Sequence, residues 1–213
     1  MNDSDHLFAS VMAGRVGVVT VALDGTISDG VAGGLTVLSG AFNPLHQGHE
    51  GMLKAATGIT GTAGAFELSI VNVAKPELLE DEVRERMSQF AGRYTALISR
   101  APTFLEKSRI MPGASFVIGY DTAVRLFDDR YYPAYQREAD PENTGSATLS
   151  AMSEIRRNGC AFIVAGRVTD DGFKTVRDLN VPAGYRPMLR GIPVEVFRED
   201  ISSTQIRRSS GTD

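Results

Sequence analysis

The chain has 213 residues, with 22 lysines and arginines against 26 aspartates and glutamates for a net charge of −4, 42% hydrophobic residues and 23% charged ones. That balance excludes a disordered polyelectrolyte and a general polyanion-binding surface, and it leaves enough chain to bury a sizeable core. No uncharged apolar run approaches the roughly 18 residues that would suggest a transmembrane helix.

Residues 1–14 are acidic and polar at the start and fit neither a secretory signal nor an arginine-rich transit peptide. Residues 15–23 (RVGVVTVAL) are valine-rich and predict a strand. Asp24-Gly25 is a hairpin turn signal, and residues 27–31 predict a short return strand. With Gly33-Gly34 as a linker, residues 1–34 read as an N-terminal β-hairpin appendage, packed on the main domain or left from an upstream one, and residues 35–213 as the main domain. From there strands and helices alternate. Strands are predicted at 35–39, 66–73, 94–99, 115–118, 161–165 and 194–197, and helices at 49–57, 79–90, 103–107, 122–127, 147–157 and 203–208. Apolar strands between helices imply an α/β, Rossmann-like three-layer domain with a mostly parallel sheet. In such sheets ligands sit at the carboxyl ends of the strands, near the switch point of strand order. Residues 131–145 and 169–190 are polar, carry proline or glycine, and read as insertions or lids.

The single cysteine, Cys160, opens an apolar run (CAFIVAG) and reads as a small core residue. It forms no internal disulfide, which favours a reducing compartment, the cytoplasm.

The strongest chemical signal is the segment 40–49 (GAFNPLHQGH), where the first strand of the main domain ends and a helix begins. Helix N-terminal amides at such a junction bind phosphate. Gly40 permits a sharp turn and close backbone approach, and Pro44 stiffens the loop. His46 and His49, two of the chain's three histidines, are three apart and able to face one ligand, with Gly48 leaving room between them. A zinc pair is the rival reading, but neither Cys160 nor His6 lies in a motif that would complete the ligand set, so no metal ligands are assigned. The second signal is 200–208 (DISSTQIRR): Ser202 to Gln205 fits a capping box, and the amides, the Ser203 and Thr204 hydroxyls and Arg207 can all face an anion. A plain capped C-terminal helix is the alternative for that segment taken alone.

Together the two segments resemble the H-x-G-H and I-S-S-T-x-I-R motifs of the nucleotidylyltransferase superfamily. The Phe42-Asn43-Pro44 sequence and the 155 residues between His49 and Thr204 make the chain most similar to nicotinamide or nicotinate mononucleotide adenylyltransferases, over about residues 35–210. The resemblance implies in-line attack of a substrate phosphate on the α-phosphate of ATP, with Mg²⁺ on the phosphates and pyrophosphate leaving. It assigns His46 and His49 to catalysis. It assigns Gly40, Phe42, Asn43, Gly48, Ser203, Thr204 and Arg207 to the nucleotide and its phosphates. The segment 116–121 (FVIGYD) resembles the family's I-G-x-D, which makes Gly119 and Asp121 substrate-binding candidates. Lys75 and Arg167, each following a strand, join them. The implied partners are a nucleotide and a phosphorylated acceptor, with no nucleic acid and no membrane; self-association into a homo-oligomer is left open.

Two departures bear on this. Glu50-Gly51 puts a helix-poor glycine early in the helix, where an apolar residue is more usual, and so predicts a loosened helix. The chain has no tryptophan, and the sequence does not locate the aromatic contacts that fix a nicotinamide ring in well-matched members, which leaves the acceptor open. A cytidylyltransferase acting on another phosphorylated acceptor, and a catalytically weak nucleotide-binding module, are therefore the alternatives. Other motifs fail: Asp24-Gly25-Thr26 lacks the phosphatase nucleophile, Ala22 standing in its place, and Gly58, Gly61 and Gly64 read as a loop rather than a dinucleotide fingerprint.

Overall fold

Along the central strands, successive side chains are buried on opposite faces of one sheet. Val37, Phe116, Ile118, Phe162 and Val164 join Leu105, Met111, Ala151, Met152 and Ile155 in one core. Leu38, Phe66, Val117 and Ile163 join Phe8, Leu53, Ala56, Val83 and Phe90 in the other. Burial on both faces is what near-continuous apolar strands require, and it makes the three-layer α/β, Rossmann-like fold expected from the sequence.

The computed structural model describes residues 3–73, 76–128, 130 and 147–198. Its elements are α1 (Asp3–Met12), β1 (Val18–Val21), β2 (Ile27–Asp29), β3 (Thr36–Gly40), α2 (Gln47–Thr60), β4 (Gly64–Ser69), α3 (Glu80–Ser88), β5 (Ala96–Ser99), α4 (Phe104–Ile110), β6 (Ser115–Gly119), α5 (Tyr120–Arg125), α6 (Ala147–Arg157), β7 (Ala161–Ala165), β8 (Arg167–Thr169), β9 (Gly172–Lys174) and β10 (Leu189–Gly191). The main sheet has the order β10-β7-β6-β3-β4-β5-β1-β2. The strands from β10 to β5 are mutually parallel. Strand β3 lies between β4 and β6, so the chain leaves it in one direction and later returns on its other side. That is the switch point, and the carboxyl ends of β3 and β6 are where sheets of this kind take their ligands.

The N-terminal hairpin forms as expected, with Val21 opposite Ile27 and the Thr26 amide donating to the Asp24 carboxylate at 2.9 Å. Its first strand pairs antiparallel with β5, from Val18 opposite Ser99 to Val21 opposite Ala96, and extends the main sheet. Helix α1 was not legible in the sequence; it buries Phe8 and Val11 beneath the same sheet.

Other expectations are corrected. Residues 194–197 are not a strand: the Val196 and Phe197 amides turn back to the Pro193 carbonyl at 3.0 and 3.1 Å, and Val194 and Val196 are exposed. The last parallel strand is β10 instead. The stretch 169–190 is not all loop, since it holds the β8–β9 hairpin end, two 3-10 helices and the start of β10. The three glycines read as a loop are divided: Gly58 lies inside α2, Gly61 caps it with φ 71°, and Gly64 begins β4. The predicted insertion 131–145 and helix 203–208 lie outside the described residues.

Candidate active site

Strand β3 delivers its last residue, Gly40, to the switch point. A Cβ there would come within 2.8 Å of the Phe42 ring, so the glycine makes room for that side chain as well as for the turn. Phe42 has a positive φ of 45° and is 1% exposed. Its ring meets Phe66 and Phe90 edge-on at 5.3 and 5.2 Å and His49 at 5.1 Å. Phe42 therefore forms the apolar wall behind His49, and only its backbone is available to a ligand. The peptide Asn43–Pro44 is cis.

His46 is the N-cap of α2. Its Nδ1 accepts from the Gly48 amide at 3.2 Å, and His49 Nδ1 makes a longer contact of 3.4 Å with the His46 amide. This is a capping box built from two imidazoles, and it explains the spacing: N-cap and N3 are three residues apart. The rings stack with centroids 3.7 Å apart and 30° between planes. A ring whose Nδ1 accepts from a backbone N–H carries its proton on Nε2, so the hydrogen-bond network assigns both imidazoles the Nε2–H tautomer. Burial, with a smaller contribution from the neighbouring His46, lowers the His49 pKa to about 4. At neutral pH His49 is an uncharged donor beside the amides of a 14-residue helix's first turn.

The opposite wall comes from β6 and β7, whose ends lie side by side with Gly119 opposite Ala165. A Cβ at Gly119 would meet nothing within 4 Å, so the protein's own packing does not require a glycine there. Asp121 in α5 and Arg167 at the start of β8 form an ion pair across these strand ends. The two substrate-binding candidates are thus partners of each other in this state. Asp121 is not the N-cap of its helix; Gly119 is.

Gly51 does not loosen α2, which runs unbroken from Gln47 to Thr60. A Cβ at Gly51 would lie 2.9 Å from the Phe197 ring, so the glycine seats the segment that follows β10. Arg198 in turn stands 5.5 Å over the Phe173 ring of β9. This docking was missed because nothing near Gly51 in sequence announces its partner. Lys75, Ser203, Thr204 and Arg207 lie outside the described residues. Cys160 is buried in the core, where desolvation pushes its thiol pKa up, as a core reading of that residue requires. Among the described residues no three His, Cys, Asp or Glu side chains group as a metal site, and no helix is long and apolar enough to cross a membrane.

The start of α2 lies at the switch point of a Rossmann-like sheet, the position at which α/β domains of this kind take phosphate-bearing ligands. Residues 37–209 match the family described as cytidylyltransferase-like, and the chain belongs to that family, part of the nucleotidylyltransferase superfamily. The activity this family indicates is nucleotidyl transfer. No curated protein matches the chain.

Proposed function

We propose that the protein transfers the adenylyl group of ATP to a phosphorylated acceptor, nicotinamide or nicotinate mononucleotide being favoured, and releases pyrophosphate, a step of NAD biosynthesis. The observation that carries this reading is the His46–His49 pair: two stacked imidazoles, each with Nδ1 turned to backbone, at a helix N-terminus. Donors at such a site stabilise charge that develops on a phosphoryl group without having to reorganise. An acceptor phosphate oxygen bonds to the α-phosphorus, the bond to the bridging oxygen breaks, and the electron pair leaves with pyrophosphate. No covalent enzyme intermediate is needed, so the protein's work is alignment and charge stabilisation. Mg²⁺ enters as the counter-ion of the nucleotide, part of the substrate.

In this reading Ser203, Thr204 and Arg207 hold the β- and γ-phosphates. Phe197 lies against Gly51 of α2, and the six residues on to Ser203 span at most about 20 Å, a length of chain compatible with that role. Gly119, with open space above it, admits the nucleotide, and Asp121, Arg167 and Lys75 contact nucleotide or acceptor. CTP with a different phosphorylated acceptor is the second reading, favoured by the cytidylyltransferase-like match and by a chain without tryptophan.

The test is pyrophosphate release from ATP and from CTP, with Mg²⁺, against phosphorylated acceptors led by the two mononucleotides. His46→Ala serves as the control. Release with ATP and one mononucleotide, lost in the variant, supports the first reading. Release with CTP alone moves the assignment to the second. Silence throughout, with ATP still bound by calorimetry, overturns both and leaves a nucleotide-binding module.

A further inference from the structure

The loop that carries His46 is gripped from outside by one face of α3. Gln89, the C-cap residue of that helix, makes two bonds to the loop through a single amide group. Its Oε1 accepts from the Leu45 amide at 2.7 Å and its Nε2 donates to the Phe42 carbonyl at 2.9 Å. The Leu45 N–H can only donate and the Phe42 carbonyl can only accept, so this chemistry fixes which way the amide points. Phe42 and Leu45 flank the Asn43–Pro44 turn, and the residue after Leu45 is His46. One turn earlier on the same face, Arg86 donates to the Ala41 carbonyl at 3.3 Å and to Glu82 at 3.2 Å. Glu82 also accepts from the Leu79 amide at 3.0 Å, which caps α3. Glu82, Arg86 and Gln89 follow the spacing that places side chains on one helix face.

A loop whose second residue has φ 45° at a bulky side chain is not held by local preference. It needs outside contacts, and α3 supplies three backbone anchors between Ala41 and Leu45. We propose that Gln89, supported by Arg86, is a positioning residue for the His46–His49 pair, fixing the loop so that the two rings stack and present their donors together. The proposal rests on the reading of those histidines as the phosphate-handling pair. Gln89 acts through the loop and touches no reacting atom in this assignment. A misplacement of about 1 Å in such a pair costs on the order of 100-fold in rate.

The experiment uses the full chain with Gln89→Ala and Gln89→Glu; the glutamate keeps an acceptor for Leu45 but sets a carboxylate against the Phe42 carbonyl. Thermal unfolding identifies folded variants. The imidazole Cε1–H signals are then titrated by NMR, which is tractable with three histidines in the chain. Steady-state kinetics with the substrates found above give kcat and KM. We expect folded variants in which the His49 midpoint moves from about 4 toward 6.5, while kcat falls by at least about tenfold and the nucleotide KM changes less. A role in folding alone would lower the melting temperature and leave the titration and the kcat of the folded enzyme where they were. If Gln89→Ala does not fold, Gln89→Glu decides by the same readings. A folded variant with the His49 midpoint and kcat both unmoved overturns the proposal, as does movement of only one of them. If the wild-type chain transfers no nucleotidyl group to any acceptor, the functional reading fails, and the titration, which needs no substrate, decides the role of Gln89 by itself.

Discussion

Phe197 rests on Gly51, at a spot where a Cβ would come within 2.9 Å of its ring. The contact ties the segment after β10 to the helix that carries His46 and His49. It also reverses the usual meaning of a helix glycine. Glycine inside an exposed helix costs about 1 kcal/mol relative to alanine, so Gly51→Ala would stabilise an isolated α2. In the whole protein the added methyl displaces Phe197. We expect Gly51→Ala to lower the melting temperature in the wild-type background and to raise it in a Phe197→Ala background, a change of sign that thermal unfolding of the four proteins would show. The same sign in both backgrounds would mean that the contact does not constrain α2. Gly51→Leu should also weaken nucleotide binding by calorimetry, because it moves the segment leading to Ser203, Thr204 and Arg207.

Asp121 and Arg167 pair across the ends of β6 and β7, but their side chains are 48% and 53% exposed. An exposed ion pair contributes under about 1 kcal/mol, since water screens it and two side chains are ordered to make it. Arg167→Ala should therefore shift the melting temperature by no more than about 3 °C. If Arg167 contacts nucleotide or acceptor, as proposed, the same variant should raise the KM of one of them about tenfold. Kinetics with unchanged KM for both substrates would reduce the pair to a surface contact.

What was legible in the sequence was what is local. The limits of α6 and β7 follow from burial periodicity within a dozen residues, and the strand-to-helix junction at 40–49 is contained in one ten-residue segment, although the capping role of His46 was not read from it. What was illegible depends on distant partners. Gly51 reads as a weak point until Phe197 is seen beside it. Residues 194–197 imitate a strand because Val194 and Val196 alternate with polar or partly buried neighbours, yet both are exposed. Strand β10 has three residues, too few to show a period, and its place is fixed by pairing with Phe162 to Val164. The grip of Gln89 on the loop that carries His46 spans more than 40 positions and leaves no trace in local pattern.

Glu67 belongs to the same class. It interrupts an apolar strand, is fully buried, and takes Lys107 from α4 on both carboxylate oxygens at 2.7 Å, with the Ser99 hydroxyl at 2.5 Å. Removing one partner of a buried pair strands the other's charge and costs about 3–5 kcal/mol. Replacing both with apolar or neutral groups of similar volume avoids that penalty. We expect Lys107→Met to be strongly destabilised in urea and Glu67→Gln/Lys107→Met to recover most of the loss. The folded double variant should turn over normally, because neither residue belongs to the candidate site. Additive single effects would show that the pair does not act as a unit.

His49 gives the protein a pH dependence with a defined sign. Its folded pKa, about 4, lies below its ordinary 6.5, so the unfolded chain binds the extra proton between those values. Stability from this group is complete above pH 6.5 and is lost as pH falls through that window. Allowing for partial exposure, it amounts to about 1–3 kcal/mol. His49→Gln should flatten the stability profile between pH 4 and 6.5 and leave its other limbs in place. Ligand binding acts in the opposite direction. A triphosphate set against His49 favours the charged ring and raises its pKa, so binding in that window should take up a proton. Calorimetry in two buffers of different ionisation enthalpy measures this directly. We expect uptake at pH 5.5 that vanishes in His49→Gln; uptake unchanged in the variant would place the triphosphate elsewhere than at His49.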